Sequence, residues 1–306
     1  MPLPPAHIFL HPDCQLSHSD GVEKLDQEDV RKLVRMALDE DSRLGDVTTL
    51  ATVPADARSQ ASMLVRESAV IAGLDLAVAA FRELDPQAKI NLRCADGQSV
   101  DAKSVLLEIT GRTQALLTAE RVALNFVQRL SGVATLTSKF VELIKGTRAK
   151  ILDTRKTTPG LRRIEKYAVA CGGGQNHRFG LFDMVLIKDN HLAALRESRP
   201  NAIAAAISCA REQYPKLSIE VEADRIEQVE QAVKAGADII LLDNMSLEDL
   251  RKSVALVGER AKTEASGGVT LGTVRAIAET GVDFISVGAL THSARAIDIG
   301  LDFESL

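Results

Sequence analysis

The sequence predicts an α/β protein in which a closed or nearly closed α/β barrel follows a smaller α+β domain. Three observations carry that expectation. From about residue 150 onward, short apolar runs recur at 150–153, 184–188, 217–222, 238–243, 261–266 and 283–288. Helical stretches such as 224–235, 246–257 and 271–280 lie between them, and such alternation means right-handed βαβ units and a parallel sheet. Each run also ends in polar, charged or glycine residues, which in a barrel converge on one mouth. A doubly wound open sheet is the alternative arrangement of the same units.

The amino-terminal part reads differently. Residues 24–40 carry Val30, Leu33, Val34, Ala37 and Leu38 at helical spacing. Strand-like runs follow near 61–67, 88–94 and 105–109, with a helix near 74–84. A long helical stretch covers 114–145, with a break expected around Ser131-Gly132. A few strands with helices on one side make an α+β domain.

Composition narrows the function. The chain is 45% hydrophobic and 26% charged, enough apolar material for a core of ordinary size and too much for a disordered chain. A net charge of −5, with no Trp and only 2 Tyr, gives neither a basic footprint nor a stacking platform for nucleic acid. No run reaches the roughly 18 apolar residues of a membrane span, and the opening residues lack the pattern of a signal peptide. A cytoplasmic protein is expected. The four cysteines are scattered without a C-x-x-C pair, so no disulfide framework is expected. His7, His11, Cys14 and His18 have metal-like spacing, but without strands or glycine turns to fix them they read as part of an arm.

The net charge hides an asymmetry: residues 145–191 sum to +6, leaving −11 for the remainder. A local basic patch in an acidic protein suits a small anion, or else is a solvated charged face. Arg155, Lys156, His177, Arg178 and Lys188 fall in or beside predicted strand ends, and so many cations would repel one another unless an anion joined them. Glu222 and Asp243 end adjacent strands, a pair that suits Mg²⁺ shared with substrate oxygens. Ser266-Gly267-Gly268 and Gly288-Ala289 follow the last two strands, where barrels bind phosphate through backbone N–H groups. Ordinary strand-to-helix turns are the alternative for those glycines. The mouth thus reads as a cationic pocket beside a metal-phosphate pocket, implying two substrates.

Several stretches resemble the quinolinate phosphoribosyltransferase family: GDVTT (45–49), ERVALNFVQRLSGVAT (120–135), DTRKTTPGLR (153–162), EKYAVACGGGQNHRFGLFDMVLIKDNH (165–191), IEVE (219–222), LLDN (241–244), SGGV (266–269) and SVGALTHS (286–293). They run in order from about residue 23 to the end. The resemblance implies an amino-terminal α/β sandwich over 23–130, completed by 290–306, and an incomplete barrel of about seven strands over 131–289. Residues 1–22 are an extension. It further implies a homodimer that transfers phosphoribosyl from phosphoribosyl pyrophosphate to quinolinate with loss of CO₂, in NAD biosynthesis. Arg155, Lys156, His177, Arg178 and Lys188 match the quinolinate-binding positions, and Arg121 matches an arginine that reaches the neighbouring subunit's site. Glu222 and Asp243 match residues holding phosphoribosyl pyrophosphate with Mg²⁺, and Ser266, Gly267, Gly268 and Gly288 those around its 5′-phosphate. Lys156 or Lys188 is expected to protonate the ring carbanion, with Glu222 or Asp243 stabilising the cationic sugar. Rival readings are a nicotinate phosphoribosyltransferase, a Schiff-base aldolase using Lys156 or Lys188, and a non-enzymatic phosphate-binding module.

Overall fold

The computed structural model describes residues 24–304, so the His7, His11, Cys14 and His18 cluster lies outside the described residues. Helix α1 (Gln27–Ser42) starts at Asp26, whose side chain accepts from the N–H groups of Glu28 and Asp29, and it buries Val30, Val34 and Leu38. Helix α2 (Val47–Thr52) is capped by Asp46, which accepts from Thr49 N at 3.0 Å and from the Thr118 hydroxyl at 3.3 Å. The GDVTT stretch is therefore a helix start tied to the long helix described next.

Strands β1 (Arg58–Val65) and β2 (Ala69–Val70), helix α3 (Leu74–Leu84), and strands β3 (Lys89–Leu92), β4 (Ser99–Val100) and β5 (Val105–Arg112) lead into α4 (Thr113–Leu143). Near the other end of the chain, β12 (Ile299–Glu304) returns to pair with β1, giving an antiparallel sheet in the order β12-β1-β5-β3. Met63 is registered between Leu301 and Leu107, all buried, so the last strand carries part of this sheet's core.

Helix α4 runs without the break expected at Ser131-Gly132. Those residues are small because the helix is approached closely there. The Ser131 hydroxyl accepts from Ala72 N at 3.1 Å, and a Cβ on Gly132 would stand 2.0 Å from the Arg295 carbonyl oxygen.

Beyond α4 come β6 (Lys150–Leu152), α5 (Arg162–Cys171), β7 (Val185–Ile187), α6 (Asp189–Ala194), α7 (Ala202–Gln213), β8 (Ile219–Ala223), α8 (Ile226–Ala235), β9 (Ile239–Asp243), α9 (Leu247–Val257), β10 (Lys262–Ser266), α10 (Val274–Ala278), β11 (Phe284–Ser286) and α11 (Ala289–His292). The six strands are parallel in the order β6-β11-β10-β9-β8-β7. From β7 to β11 each strand neighbours the next in sequence, and β6 follows β11. That cyclic order belongs to a barrel; a doubly wound sheet would reverse direction at a switch point.

The barrel stays open between β6 and β7. On the free edge of β6, Gln175 donates to the Ile151 carbonyl at 2.8 Å and accepts from Asp153 N at 3.1 Å. This single parallel bridge is a seventh strand reduced to one residue. It also fixes the start of the segment that carries His177 and Arg178.

Among the described residues no helix is long and apolar enough to cross a membrane. Replacing Gly132 with Ala should lower unfolding stability by about 1–3 kcal/mol, the usual cost of overpacking. Urea denaturation followed by circular dichroism measures it, and a midpoint equal to the parent's would contradict the close approach.

Candidate active site

Strand register places the inward residues. Residues paired across a parallel sheet share a face, and alternate residues along a strand share it too. Leu186 pairs with Glu220, Glu222 with Leu241, and Asp243 with Ser266. One face therefore carries Glu220, Glu222, Asp243, Glu264, Ser266 and Ser286, with Lys188 and Gly288 at the same parity just beyond their strands.

Asp153 organises one side of this mouth. It follows β6 and is fully buried. Its Oδ1 accepts from Lys166 Nζ of α5 at 2.5 Å and from His177 N at 2.8 Å. Lys166 Nζ also donates to the His177 carbonyl at 2.9 Å. With its amide oriented to satisfy its neighbours, Asn176 donates to Asp153 Oδ2 at 2.8 Å and to the Lys166 carbonyl at 3.0 Å. Burial pushes the Asp153 carboxyl up to about 6, against the pull of Lys166, and the same burial pulls the Lys166 ammonium down.

His177 has both ring nitrogens engaged within the chain. Nδ1 accepts from Arg178 N at 2.8 Å, so the ring proton sits on Nε2, which donates to Glu220 Oε2 at 3.0 Å. Burial lowers its pKa against the pull of Glu264 and Asp153, with Lys166 and Arg178 adding to the lowering. The ring is neutral, so it leaves the set of cations in which the sequence placed it. Arg178 donates to the Met184 carbonyl at 3.1 Å, stands close enough to Arg155 to be destabilised by it, and is drawn by Glu220 and Asp183. Arg155 is half-buried with its Nε buried and unpartnered among the described residues.

Lys188 is ion-paired with Glu222. The cations do not converge without acids, as the sequence suggested: Glu222 neutralises Lys188, and Glu220 lies beneath Arg178. Sequence reading passed over Glu220 and Glu264 as site residues, although the Ile-Glu-Val-Glu alternation of β8 marks Glu220 as inward-facing. Asp153 and Lys166, 13 residues apart, left no comparable signal.

Lys156 is exposed, and its ammonium has no partner among the described residues. Its backbone is held: the Thr291 hydroxyl donates to the Lys156 carbonyl at 2.7 Å. Gly288 lies against it, since a Cβ there would come 3.1 Å from Lys156 Cδ and 3.1 Å from His292 Nε2. The loop after Lys156 is held by buried Glu165, which accepts from Thr158 N at 3.0 Å and from Arg129 Nη2 at 2.8 Å. Arg129, on α4, donates in turn to the Ala294 and Thr291 carbonyls.

Across the mouth, Asp243 accepts from Asn244 Nδ2 at 2.7 Å. Asn244 has φ +54°, and its N–H donates to the Ser266 carbonyl at 2.9 Å. Gly267 has φ +97°, and a Cβ there would fall 2.1 Å from Asn244 Oδ1. Only glycine fits that turn. Glu222 and Asp243 are partly exposed on neighbouring strands, oxygen donors suited to Mg²⁺. Arg121 is exposed on α4, with Glu120 as a neighbouring charge, and makes no hydrogen bond to the other site residues.

A barrel mouth with arginines and lysines on one side, and paired acids beside glycine turns on the other, has the chemistry to hold two small anionic molecules. Comparison with known proteins specifies the class further. Residues 46–131 match the family description Quinolinate phosphoribosyl transferase, N-terminal domain, and residues 133–302 match its C-terminal domain. The chain belongs to the quinolinate phosphoribosyltransferase family. It is 45% identical over 278 residues, 89% of this chain and 96% of the other, to the nicotinate-nucleotide pyrophosphorylase [carboxylating] of Mycobacterium leprae (strain TN). It is 42% identical over 293 residues, 90% of this chain and 83% of the other, to quinolinate phosphoribosyltransferase [decarboxylating] 2b, mitochondrial, of Nicotiana tabacum. The solved nicotinate-nucleotide pyrophosphorylase from Francisella tularensis superposes with a TM-score of 0.88 at 41% identity, covering 94% of this chain and 100% of that one.

Replacing Lys166 with Met leaves Asp153 buried without its cation, which should cost about 3–5 kcal/mol of stability. A loss below about 1 kcal/mol by chemical denaturation would show that the pair does not hold this side of the mouth.

Proposed function

We infer that this chain catalyses phosphoribosyl transfer from phosphoribosyl pyrophosphate to quinolinate with decarboxylation, forming nicotinate mononucleotide, CO₂ and pyrophosphate. Family membership supports the reaction, and the observation that carries it to this chain is the divided mouth. Arg155 and Arg178 offer planar forks to carboxylates, and a charge-assisted hydrogen bond contributes about 1.5–3 kcal/mol. The buried, unpartnered Arg155 Nε supplies a donor for the bound dicarboxylate.

Quinolinate is placed against Arg155, Arg178, Lys156 and Lys188. His177 lines that pocket and holds the Arg178 backbone, because neither of its nitrogens is available to the substrate. Phosphoribosyl pyrophosphate is placed against Glu222, Asp243 and the Ser266, Gly267, Gly268 and Gly288 turns, which offer backbone N–H groups to its 5′-phosphate. Mg²⁺ held with Glu222 and Asp243 would neutralise the pyrophosphate leaving group.

The reaction follows from orientation and charge. The pyridine nitrogen attacks the ribose carbon as pyrophosphate departs, and Glu222 or Asp243 stabilises the positive charge that develops on the sugar. The ribosylated pyridinium then accepts the electron pair left when the adjacent carboxylate departs as CO₂. Of the two lysines, Lys156 is the better proton donor to the ring carbon, because Glu222 ties Lys188 down. Arg121, remote within one chain, is proposed to complete the site of the partner subunit in a homodimer.

Assaying CO₂ release with quinolinate and with nicotinate tests the reading. Quinolinate should turn over with one CO₂ per nucleotide, whereas faster turnover of nicotinate without CO₂ would overturn it. Replacing Arg155 with Ala should raise KM for quinolinate by at least about tenfold, one lost charge-assisted contact, and leave KM for phosphoribosyl pyrophosphate unchanged. Heterodimers mixing Arg121→Ala with Lys156→Ala subunits should recover activity through one intact site. Absence of recovery in verified heterodimers would remove the cross-subunit role of Arg121.

A further inference from the structure

The two proposed pockets meet at one buried side chain. Thr291 of α11 is fully buried, and its hydroxyl donates to the Lys156 carbonyl at 2.7 Å, across 135 residues of chain. A threonine in a helical turn ordinarily bonds back to a carbonyl of its own turn. Here that carbonyl belongs to Gly288 and lies farther off, at 3.3 Å. A hydroxyl has one proton to give, and the shorter bond takes it. The Thr291 side chain therefore serves a distant loop in preference to its own turn.

The two carbonyls stand beside different substrates. Lys156 follows Arg155 on the loop after β6, against which quinolinate is placed. Gly288 begins the turn after β11, which is placed at the 5′-phosphate. Among the described residues no other hydrogen bond joins residues 154–158 to residues 288–293. The two segments also touch, since a Cβ on Gly288 would come 3.1 Å from Lys156 Cδ. A longer route connects the same segments. The Thr291 carbonyl accepts from Arg129, Arg129 pairs with Glu165, and Glu165 accepts from Thr158 N at 3.0 Å and from the Thr158 hydroxyl at 2.9 Å. That route passes through a flexible arginine and reaches the loop beyond Lys156. The Thr291 hydroxyl is the short, direct link.

We propose that Thr291 is a positioning residue that couples the two pockets: an anion seated on the Gly288 turn steadies the Lys156 backbone through the Thr291 hydroxyl and so tightens quinolinate. The role rests on the reading of those two pockets as the substrate sites. Linkage makes the effect reciprocal, so quinolinate tightens the phosphate-bearing ligand by the same factor. A junction of one neutral hydrogen bond supports a factor of about five.

Calorimetric titration with quinolinate, in the presence and absence of saturating ribose 5-phosphate, tests the coupling. Ribose 5-phosphate fills the phosphate side and carries no pyrophosphate to lose, so no reaction intervenes. In the wild type it should tighten quinolinate about fivefold. In Thr291→Val, which keeps the shape of the side chain without its hydroxyl, quinolinate should bind equally with and without it. Thr291→Ser restores the hydroxyl and should recover the coupling. A role confined to stability would lower the unfolding midpoint of Thr291→Val and leave the coupling intact. Independent binding in the wild type, coupling retained in Thr291→Val, or coupling lost in Thr291→Ser would overturn the proposal. Hydrogen exchange gives a second readout: inorganic phosphate should slow amide exchange over residues 154–158 in the wild type, and unchanged exchange would also overturn it. If Thr291→Val fails to fold, the wild type, Thr291→Ser and the exchange measurement decide. Lack of any turnover of quinolinate would defeat the functional reading, while exchange with phosphate alone would still test the junction.

Discussion

The site depends on one buried carboxylate. Asp153 stands where the first barrel strand ends, on the open side of the barrel where no full strand closes the wall. With one oxygen on Lys166 and the His177 amide, and the other on Asn176, it joins β6, α5 and the cationic segment into one unit. A charge in that position is costly unless paired and fully hydrogen-bonded, and the same cost makes the arrangement specific. Removing any one partner leaves another buried group unsatisfied.

From that anchor the electrostatics of the mouth follow. Arg155 and Arg178 repel each other across a half-buried pocket, a repulsion that the proposed dianionic substrate would relieve. Beneath them the protein has placed acids rather than apolar side chains. Glu220 draws Arg178 inward, Glu222 holds Lys188, and neutral His177 bridges the two layers without adding charge. Charges held in place before any ligand arrives lower the cost of reorganisation on binding. The opposite half is built from backbone. The positive φ of Asn244 and Gly267 packs one strand-end turn against the next on the side proposed for the phosphate.

Much of this was legible in the sequence for a definite reason. Parallel barrel strands are short apolar runs, and function at one mouth leaves polar residues at every carboxyl end, so Arg155, Lys188, Glu222, Asp243 and Ser266 stand out by position. What was not legible depends on contacts between distant segments. The tautomer of His177 is set by Glu220, 43 residues away, and by a backbone amide next door, and its neutrality by burial that only the assembled barrel supplies. Asp153 reads as a strand-end residue until Lys166 and Asn176 are seen to enclose it. Ser131-Gly132 reads as a helix break because its reason, the passage of Arg295, lies far along the chain. Arg121 carries a signal through family resemblance alone, since nothing within one chain brings it to the mouth.

The cationic half of the mouth, as the proposed quinolinate pocket, is expected to select a dicarboxylate by charge. Calorimetric titration of the intact protein with quinolinate and with nicotinate tests it most directly, since the ligands differ by one carboxylate. Quinolinate should bind at least about tenfold more tightly, the worth of one further charge-assisted contact, and the difference should shrink in Arg155→Ala. Equal affinities for the two pyridine carboxylates in the parent protein would contradict the account.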